Sequence, residues 1–346
     1  MSQQTNTAFI LPQTGAGLHT ITKRTTDIPS PKAHEVLVKI HAFSINYRDF
    51  AMSAAFYPAP RPPNQVLGSD MAGEVIEVGE GVVAGEFNKG DRVTANFNQA
   101  HFFGTHTGQR QDLGDAVEGV FQEYYVFNVA GLLHVPKHLT YEEAACGPCA
   151  GVTAWNALYG GIPLAPGQTV LFQGTGGVSL AGLQFAAAAG AKTIITSGSD
   201  EKLAIAKKLG ATHTINYKTN PDWDQVVLEL TEGVGAHHIL DNVGVEEIGR
   251  CFNCAATGGN IHCIGFLGDM TKPAPNVLMS VLMKSLSIRG IYVGSKQLHS
   301  DMLRFMDTNK LRPHIDRVFA FEDTVKALEY LGSGKHVGKV VVKVSA

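Results

Sequence analysis

The stretch Thr169–Gln184, TVLFQGTGGVSLAGLQ, decides the fold. Val170, Leu171 and Phe172 form a short apolar run that reads as a buried strand. A glycine-rich turn follows, and then a helix begins. Gly174, Gly176 and Gly177 stand where a side chain would keep a diphosphate away from the backbone and from the helix N-terminus. Free N–H groups and the helix dipole favour an anion at such a place. Thr175 and Val178 complete the turn expected to hold it. The flanking sequence gives these glycines their weight, because a glycine trio also occurs in turns of other α/β folds. A small-residue helix through Ala186–Gly190 can pack close to a sheet, and Thr193–Thr196 reads as a second strand. Together these make a βαβ unit of the dinucleotide-binding kind.

Outward from that unit the pattern continues. Helices are expected over 178–189, 200–209, 222–232 and 245–255, with strands at 169–173, 192–196, 213–216, 237–241, 260–264 and 286–291. Strands alternating with helices predict a doubly wound parallel sheet. Upstream, Tyr141–Tyr159 reads as one helix. The first part of the chain is different. Glu35–His41 alternates apolar and polar residues, Ala72–Val78 and Asp91–Ala95 are further short strands, and Gly79, Gly81, Gly85 and Gly90 punctuate the connections. Short strands with glycine turns predict a small, partly closed β domain. Residues 96–120 form a long polar loop of the kind that serves as a lid or binding loop, with Phe102 and Phe103 placed to cover a substrate, or as a plain surface excursion. The tail, with a helix near Glu322–Leu331 and a last strand Gly338–Val344, is expected to complete the first domain.

The chain has 346 residues, 44% hydrophobic and 17% charged, with a formal net charge of −3. Two domains are expected at this length, and nothing points to nucleic acid or an anionic membrane as partner. The N-terminus lacks a signal-peptide pattern and no apolar run reaches transmembrane length, so the cytoplasm is the expected location. Cys146, Cys149, Cys251, Cys254 and Cys263 are the five cysteines. They include two CxxC spacings, CGPC and CFNC. These read either as a zinc or redox set or as buried thiols. The second reading is preferred, because structural zinc sites draw ligands from compact loops.

The chain resembles the medium-chain dehydrogenases/reductases over nearly its whole length. The resemblance is carried by EVLVKIHAFSINYRDF, GSDMAGEVIEVGEGV, GDRV, CAGVTAWNAL, GTGGVSLAGLQFAAAAGA, SDEKLAIAKKLGATHTINY, LDNVG, LRPHIDRVF and GKHVGKVVVKV. It implies a GroES-like, partly closed β-barrel catalytic domain over 1–150 and 294–346. It also implies an inserted Rossmann dinucleotide-binding domain over 151–293, and a cleft between the two. It further implies a homodimer paired through Ser287–Val293. Zinc members hold their catalytic metal with Cys, His and Cys. At the matching positions this chain has Asn46, Ser69 and Cys149, and the loop 96–120 lacks the structural-zinc cysteines. One thiolate cannot replace the three protein ligands a catalytic zinc needs, so no zinc is expected, with Asp70 the one further oxygen donor at hand. The resemblance is therefore to the zinc-independent branch of quinone oxidoreductases, enoyl reductases and alcohol dehydrogenase-like proteins with an NYRD motif.

For the cofactor, the second strand of the unit ends ITSGSDEK. Ser197, Gly198 and Ser199, with Lys202 beyond, suit a 2′-phosphate, whereas NAD sites place a carboxylate there. Asp200 is read as the helix N-cap. By resemblance, Tyr217 contacts the 2′-phosphate and NADPH is favoured over NADH. Asn242–Gly244 lie near the adenosine ribose or diphosphate. Gly265, Phe266 and Leu267 approach the nicotinamide, Tyr292, Val293 and Gly294 flank its carboxamide, and Lys339 reaches the cofactor. For the chemistry, a hydride acceptor develops negative charge that donors must hold. Tyr57 matches a tyrosine of mitochondrial-type enoyl reductases and is expected to donate a hydrogen bond and a proton, or else to shape the pocket. Asn46 is expected to donate to an oxyanion, Tyr47 to act as wall or donor, Thr153 to pack near the nicotinamide, and Arg48 and Asp49 to brace the loop as a pair. The expected substrate is a small molecule with a conjugated carbonyl. Alcohol or ketone chemistry, and NADPH binding with little catalysis, are the alternatives.

Overall fold

The computed structural model describes residues 5–54, 57 and 61–344. The chain divides into two compact units, Met1–Ala150 with Ser295–Ala346, and Gly151–Gly294.

The first segment of the first unit runs β1 (Thr5–Leu11), β2 (Thr22–Asp27), β3 (Glu35–Ile45), α1 (Tyr47–Ser53), β4 (Gln65–Val66), β5 (Asp70–Val78), β6 (Arg92–Ala95), β7 (Tyr124–Asn128), β8 (Leu132–His134) and α2 (Tyr141–Ala144). The chain returns to this unit after residue 294 with α9 (Lys296–Asn309), β15 (Ile315–Ala320), α10 (Thr324–Gly332) and β16 (Lys339–Lys343). In between, the second unit holds α3 (Val152–Tyr159), β9 (Thr169–Gln173), α4 (Gly177–Ala188), β10 (Lys192–Ser197), α5 (Asp200–Lys208), β11 (His213–Asn216), α6 (Trp223–Leu230), β12 (Ala236–Asp241), α7 (Ile248–Cys254), β13 (Ala255–Cys263), α8 (Val277–Lys284) and β14 (Ser287–Gly290).

Strand β3 organises the first unit. One edge pairs antiparallel with β5 along most of its length. The other edge changes partner, taking β7 over Glu35–Lys39 and β16 over Ala42–Ile45. Serving two partners on one edge requires a long strand, and β3 spans 11 residues. The alternation in its first half suggests a half-exposed strand, yet Val36, Leu37 and Val38 are all buried. Both faces are covered, so the polar residues sit at the margins rather than on a solvent face. The resulting seven-stranded sheet runs β15-β16-β3-β5-β6-β8 with β7 on β3, beside a separate β2-β1-β4 sheet. Among the described residues the strands form no fully closed barrel, as a partly closed β domain allows. The tail packs into the same core: the Phe321 ring meets Phe9 edge-on at 5.1 Å, and Phe43 stacks on Phe121 at 4.3 Å.

The second unit is a parallel six-stranded sheet in the order β11-β10-β9-β12-β13-β14. This is the doubly wound arrangement, with the strand order reversing beside β9. Helix α4 lies close to the sheet because Gly182 has no side chain. A Cβ there would stand 2.7 Å from Phe172 and 3.2 Å from Leu240.

Two further expectations need correction, and the long loop is anchored at both ends. Residues 141–159 are two helices separated by a π-type turn at Gly147–Gly151. Pro148 follows Gly147 there, and a proline lacks the N–H that a continuous α-helix requires. The strand expected over Ser287–Val293 ends at Gly290, and Val293 has φ 50°. The loop 96–120 is anchored in the core by buried Phe97, Leu113 and Val120, while Phe102 and Phe103 are exposed. Among the described residues, no helix is long and apolar enough to cross a membrane.

His299 on α9 is fully buried, and both ring nitrogens lack a hydrogen-bond partner. Burial holds its pKa down at about 3, against an ordinary 6.5. The native state therefore keeps it neutral while the unfolded chain protonates it below about pH 6.5. Its contribution is complete above that pH and declines as pH falls toward 3, at about 1.4 kcal/mol per pH unit. Denaturant titrations between pH 7 and 4.5 are expected to show His299→Leu losing less stability on acidification than the parent. Parallel losses in the two proteins contradict this.

Candidate active site

In the first unit, Asn46 follows β3 and is the N-cap of α1. Its backbone N–H donates to Asp49 Oδ2 at 2.8 Å, closing the first turn of the helix. The Lys339 ammonium, at the start of β16, donates to Asn46 Oδ1 at 2.6 Å and to the Ile45 carbonyl at 3.0 Å. It also stands 3.8 Å from Asp70 Oδ2. Asn46 Nδ2 points to Ser69 Oγ at 3.4 Å, and Ser69 Oγ donates to Asp70 Oδ1 at 2.7 Å. Asp70 Oδ2 accepts from the Cys149 N–H at 3.1 Å; Ser44 Oγ lies 3.4 Å away but donates its proton to the Ala145 carbonyl at 2.8 Å. Asn46, Ser69, Asp70 and Lys339 are all buried. A buried charge must be paired and hydrogen-bonded to survive there, and this set does both.

Around this cluster, Tyr47 opens α1 and is partly exposed, with burial pushing its phenol above the ordinary value. Arg48 is buried, but its ion-pair contact is Asp115 at 3.7 Å, and its Nη1 donates to the Leu113 carbonyl at 2.9 Å. This corrects the expected pairing with Asp49: α1 turns its guanidinium toward the 96–120 loop. Asp49 serves the helix start, and burial pushes its carboxyl up to about 6 despite Arg48 nearby. The Tyr57 ring lies 5.9 Å from the Arg48 guanidinium carbon and packs at the edge of the apolar core. Burial pushes the Cys149 thiol well above its ordinary value, with Asp70 adding to the effect. Such a thiol stays protonated near neutral pH and is a poor nucleophile.

The expected zinc positions therefore hold an amide, a hydroxyl and one raised thiol. Among the described residues no three metal-ligating side chains gather in one place. The donors do not fit a catalytic zinc, because only Asp70 and Cys149 offer ligand atoms and an ammonium already stands beside Asp70.

In the second unit, Gly174 follows β9 with φ 74°, and Gly176 precedes α4. A Cβ on either would meet no protein atom within 4 Å. The space above these two glycines is therefore open, as a phosphate lying on the N-terminus of the 12-residue α4 would need. Thr175 is buried in the turn, and Gly177 and Val178 start the helix. Asn242 is occupied internally: Nδ2 donates to the Gln173 carbonyl at 3.2 Å and to Ser179 Oγ at 3.0 Å, locking the ends of β9 and β12 together. Gly265 passes so close to Asn242 that a Cβ would lie 2.3 Å from its carbonyl oxygen. Phe266 and Leu267 follow it, with Leu267 exposed.

At the end of β10, Ser197 is buried and Ser199 caps α5, its Oγ accepting from the Lys202 N–H at 3.4 Å. Ser199, rather than Asp200, is thus the N-cap. The Asp200 carboxylate instead accepts from Asn216 Nδ2 at 2.7 Å. A Cβ on Gly198 would stand 2.9 Å from both Tyr217 Oη and Lys218 Cε. The structure thereby brings Tyr217 to the β10 turn and adds Lys218, which sequence reasoning missed although it adjoins Tyr217. Thr153 is buried in the first turn of α3. Tyr292 is partly exposed and Gly294 is buried. Val293 holds a left-handed φ of 50°, rare for a β-branched residue, and its carbonyl accepts from Asn156 Nδ2 at 2.6 Å.

Comparison with known proteins agrees with this architecture. Residues 32–137 match the family model described as alcohol dehydrogenase GroES-like domain, and residues 177–308 match that described as zinc-binding dehydrogenase. A zinc-type alcohol dehydrogenase-like protein of Schizosaccharomyces pombe is 44% identical over 90% of this chain and 91% of its own length. A quinone oxidoreductase-like protein 2 homolog of Nematostella vectensis is 30% identical over 89% of this chain and 81% of its own. A solved NAD-dependent alcohol dehydrogenase superposes with a TM-score of 0.89 at 32% identity, covering 98% of this chain and 100% of that one. With a glycine turn opening a parallel six-stranded sheet and relatives of this kind across its length, the chain belongs to the medium-chain dehydrogenase/reductase superfamily and is an NAD(P)H-dependent oxidoreductase.

Proposed function

We propose that this enzyme uses NADPH to reduce a small molecule whose carbon–carbon double bond is conjugated to a carbonyl, an enone, enal or quinone, without a catalytic zinc. The observation that carries this reading is the donor set at Asn46. Where metal ligands are expected, the chain has a buried amide with its oxygen engaged by Lys339 and its Nδ2 as donor. Hydrogen-bond donors of this kind suit an enolate oxygen, whose charge is delocalised. The quinone oxidoreductase-like relative is in keeping with such substrates.

A nicotinamide cofactor bound at the glycine turn would supply hydride to the β-carbon of the acceptor. The π electrons shift to the carbonyl oxygen. Asn46 Nδ2 and the Tyr57 hydroxyl hold that oxygen, and Tyr57 or water returns a proton to the α-carbon. Gly174 and Gly176 leave room for the diphosphate on α4. Ser197, Ser199, Lys202, Tyr217 and Lys218 would hold the 2′-phosphate at the end of β10. The Gly198 contacts to Tyr217 and Lys218 support that assignment.

Tyr57→Phe keeps the ring against Arg48 and removes the hydroxyl. Steady-state assays with an enone are expected to show turnover about 100-fold lower, with NADPH affinity unchanged by fluorescence titration. Undiminished turnover removes Tyr57 from the mechanism. Lys218→Ala and Lys202→Ala are each expected to weaken NADPH binding about tenfold, the loss of about one charge-assisted contact, while NADH binding stays constant. Equal effects on the two cofactors contradict the 2′-phosphate assignment.

A further inference from the structure

Lys339 takes no chemical part in the steps just given, yet its ammonium is buried in the first unit. Its side chain is only 5% exposed, against 0% for Asp70. Its ammonium donates to Asn46 Oδ1 and the Ile45 carbonyl, 2.6 and 3.0 Å away. An ammonium has donors and no acceptor, so only the amide oxygen of Asn46 can face it. This settles which way the amide is turned. Nδ2 must point away from Lys339, toward Ser69 Oγ.

The rest of the cluster keeps the same direction. Ser69 spends its proton on Asp70 Oδ1, which leaves its oxygen lone pairs to accept from Asn46. Asp70 is held by the Ser69 hydroxyl and the Cys149 N–H, both donors. Hydrogen bonds therefore run one way from Lys339 through Asn46 and Ser69 to Asp70, cation to anion. Bonds aligned in this manner polarise one another in a low-dielectric interior. The ammonium withdraws electron density through Oδ1, and the second Nδ2 hydrogen becomes a stronger donor.

We propose that Lys339 is a positioning residue that orients and polarises the Asn46 amide, so that Nδ2 serves as the hydrogen-bond donor to the substrate oxygen, with the ammonium supplying the positive charge that zinc members draw from their metal. This rests on the proposed reduction of a conjugated carbonyl, and it differs from a role for Lys339 in binding the cofactor. No proton leaves Lys339 in the step. It acts through Asn46, and the acceptor's negative oxygen is held by Nδ2.

The test is a cycle of Lys339→Met, Asn46→Ala and the double variant, with kcat on an enone and NADPH affinity by titration. Asn46→Ala is expected to lower kcat about 100-fold and Lys339→Met at least about tenfold. The double variant is expected to fall no further than the worse single one, because both remove the same donor. NADPH affinity is expected to stay within about twofold throughout. Asn46→Asp keeps an acceptor for Lys339 but loses the donor, and is expected to match Asn46→Ala in kcat. Additive losses, a large loss of NADPH affinity in Lys339→Met, or full activity in Asn46→Asp each overturn the proposal. If Lys339→Met fails to fold with Asp70 left unpaired, Asp70→Asn/Lys339→Met removes both charges and carries the same cycle. The cycle is read on whichever acceptor the parent reduces. Reduction of ketones alone defeats the conjugated-carbonyl reading and leaves the Lys339 result legible.

Discussion

A buried ammonium imposes a strict demand on the first unit. Lys339 is removed from water and must find acceptors and a counter-charge inside the protein. It finds Asn46 and Ile45 at the end of β3 and Asp70 at the start of β5. The first two are brought to it by register: β16 runs antiparallel to β3 with Val340 opposite Ile45. The third follows from β5 pairing with the other edge of β3, Asp70 opposite Ser44. Three strands far apart in sequence must therefore assemble before the candidate site exists. The last strand of the chain, which a linear reading treats as a tail, is as much a part of that site as the residues near position 46.

The second unit solves a different problem. It leaves space where a ligand is expected and closes it elsewhere, using glycine for both purposes. Gly174 and Gly176 open the turn onto the α4 N-terminus, with no protein atom near a would-be side chain. Gly182 and Gly265 do the opposite, letting a helix and a strand end approach closer than any side chain allows. Asn242 then fastens the strand ends together. Its side chain is committed to that brace, so its contribution at the site is to hold the loops in place. Val293 adds a left-handed backbone kept in position by Asn156, a strained feature next to residues expected to flank the nicotinamide.

Much of this was legible in the chain because it is local. The glycine turn and the alternating strands and helices of the second unit follow from short-range periodicity, and the observed bounds of β9, α4 and β11 lie within about a residue of expectation. The failures share a physical origin in contacts between distant segments. Nothing near Arg48 indicates that its guanidinium turns to Asp115 instead of its neighbour Asp49. The Asp200 cap looked plausible until Asn216, on the next strand, claimed the carboxylate and left Ser199 to cap the helix. The broken helix at Gly147–Gly151 is the exception, since Pro148 was a local signal that an apolar, small-residue pattern outweighed. Asn46 and Lys339 were each singled out, but their hydrogen bond spans 293 positions and belongs to the fold alone.

The central claim is that a metal-free donor site in this enzyme stabilises an enolate. The most direct test follows the hydride. NADPH carrying deuterium at its transferable position is incubated with the enzyme and an α,β-unsaturated ketone, and the product is mapped by mass spectrometry. Deuterium on the β-carbon is the predicted result. Deuterium on the carbonyl carbon contradicts the account and makes the enzyme a carbonyl or alcohol oxidoreductase.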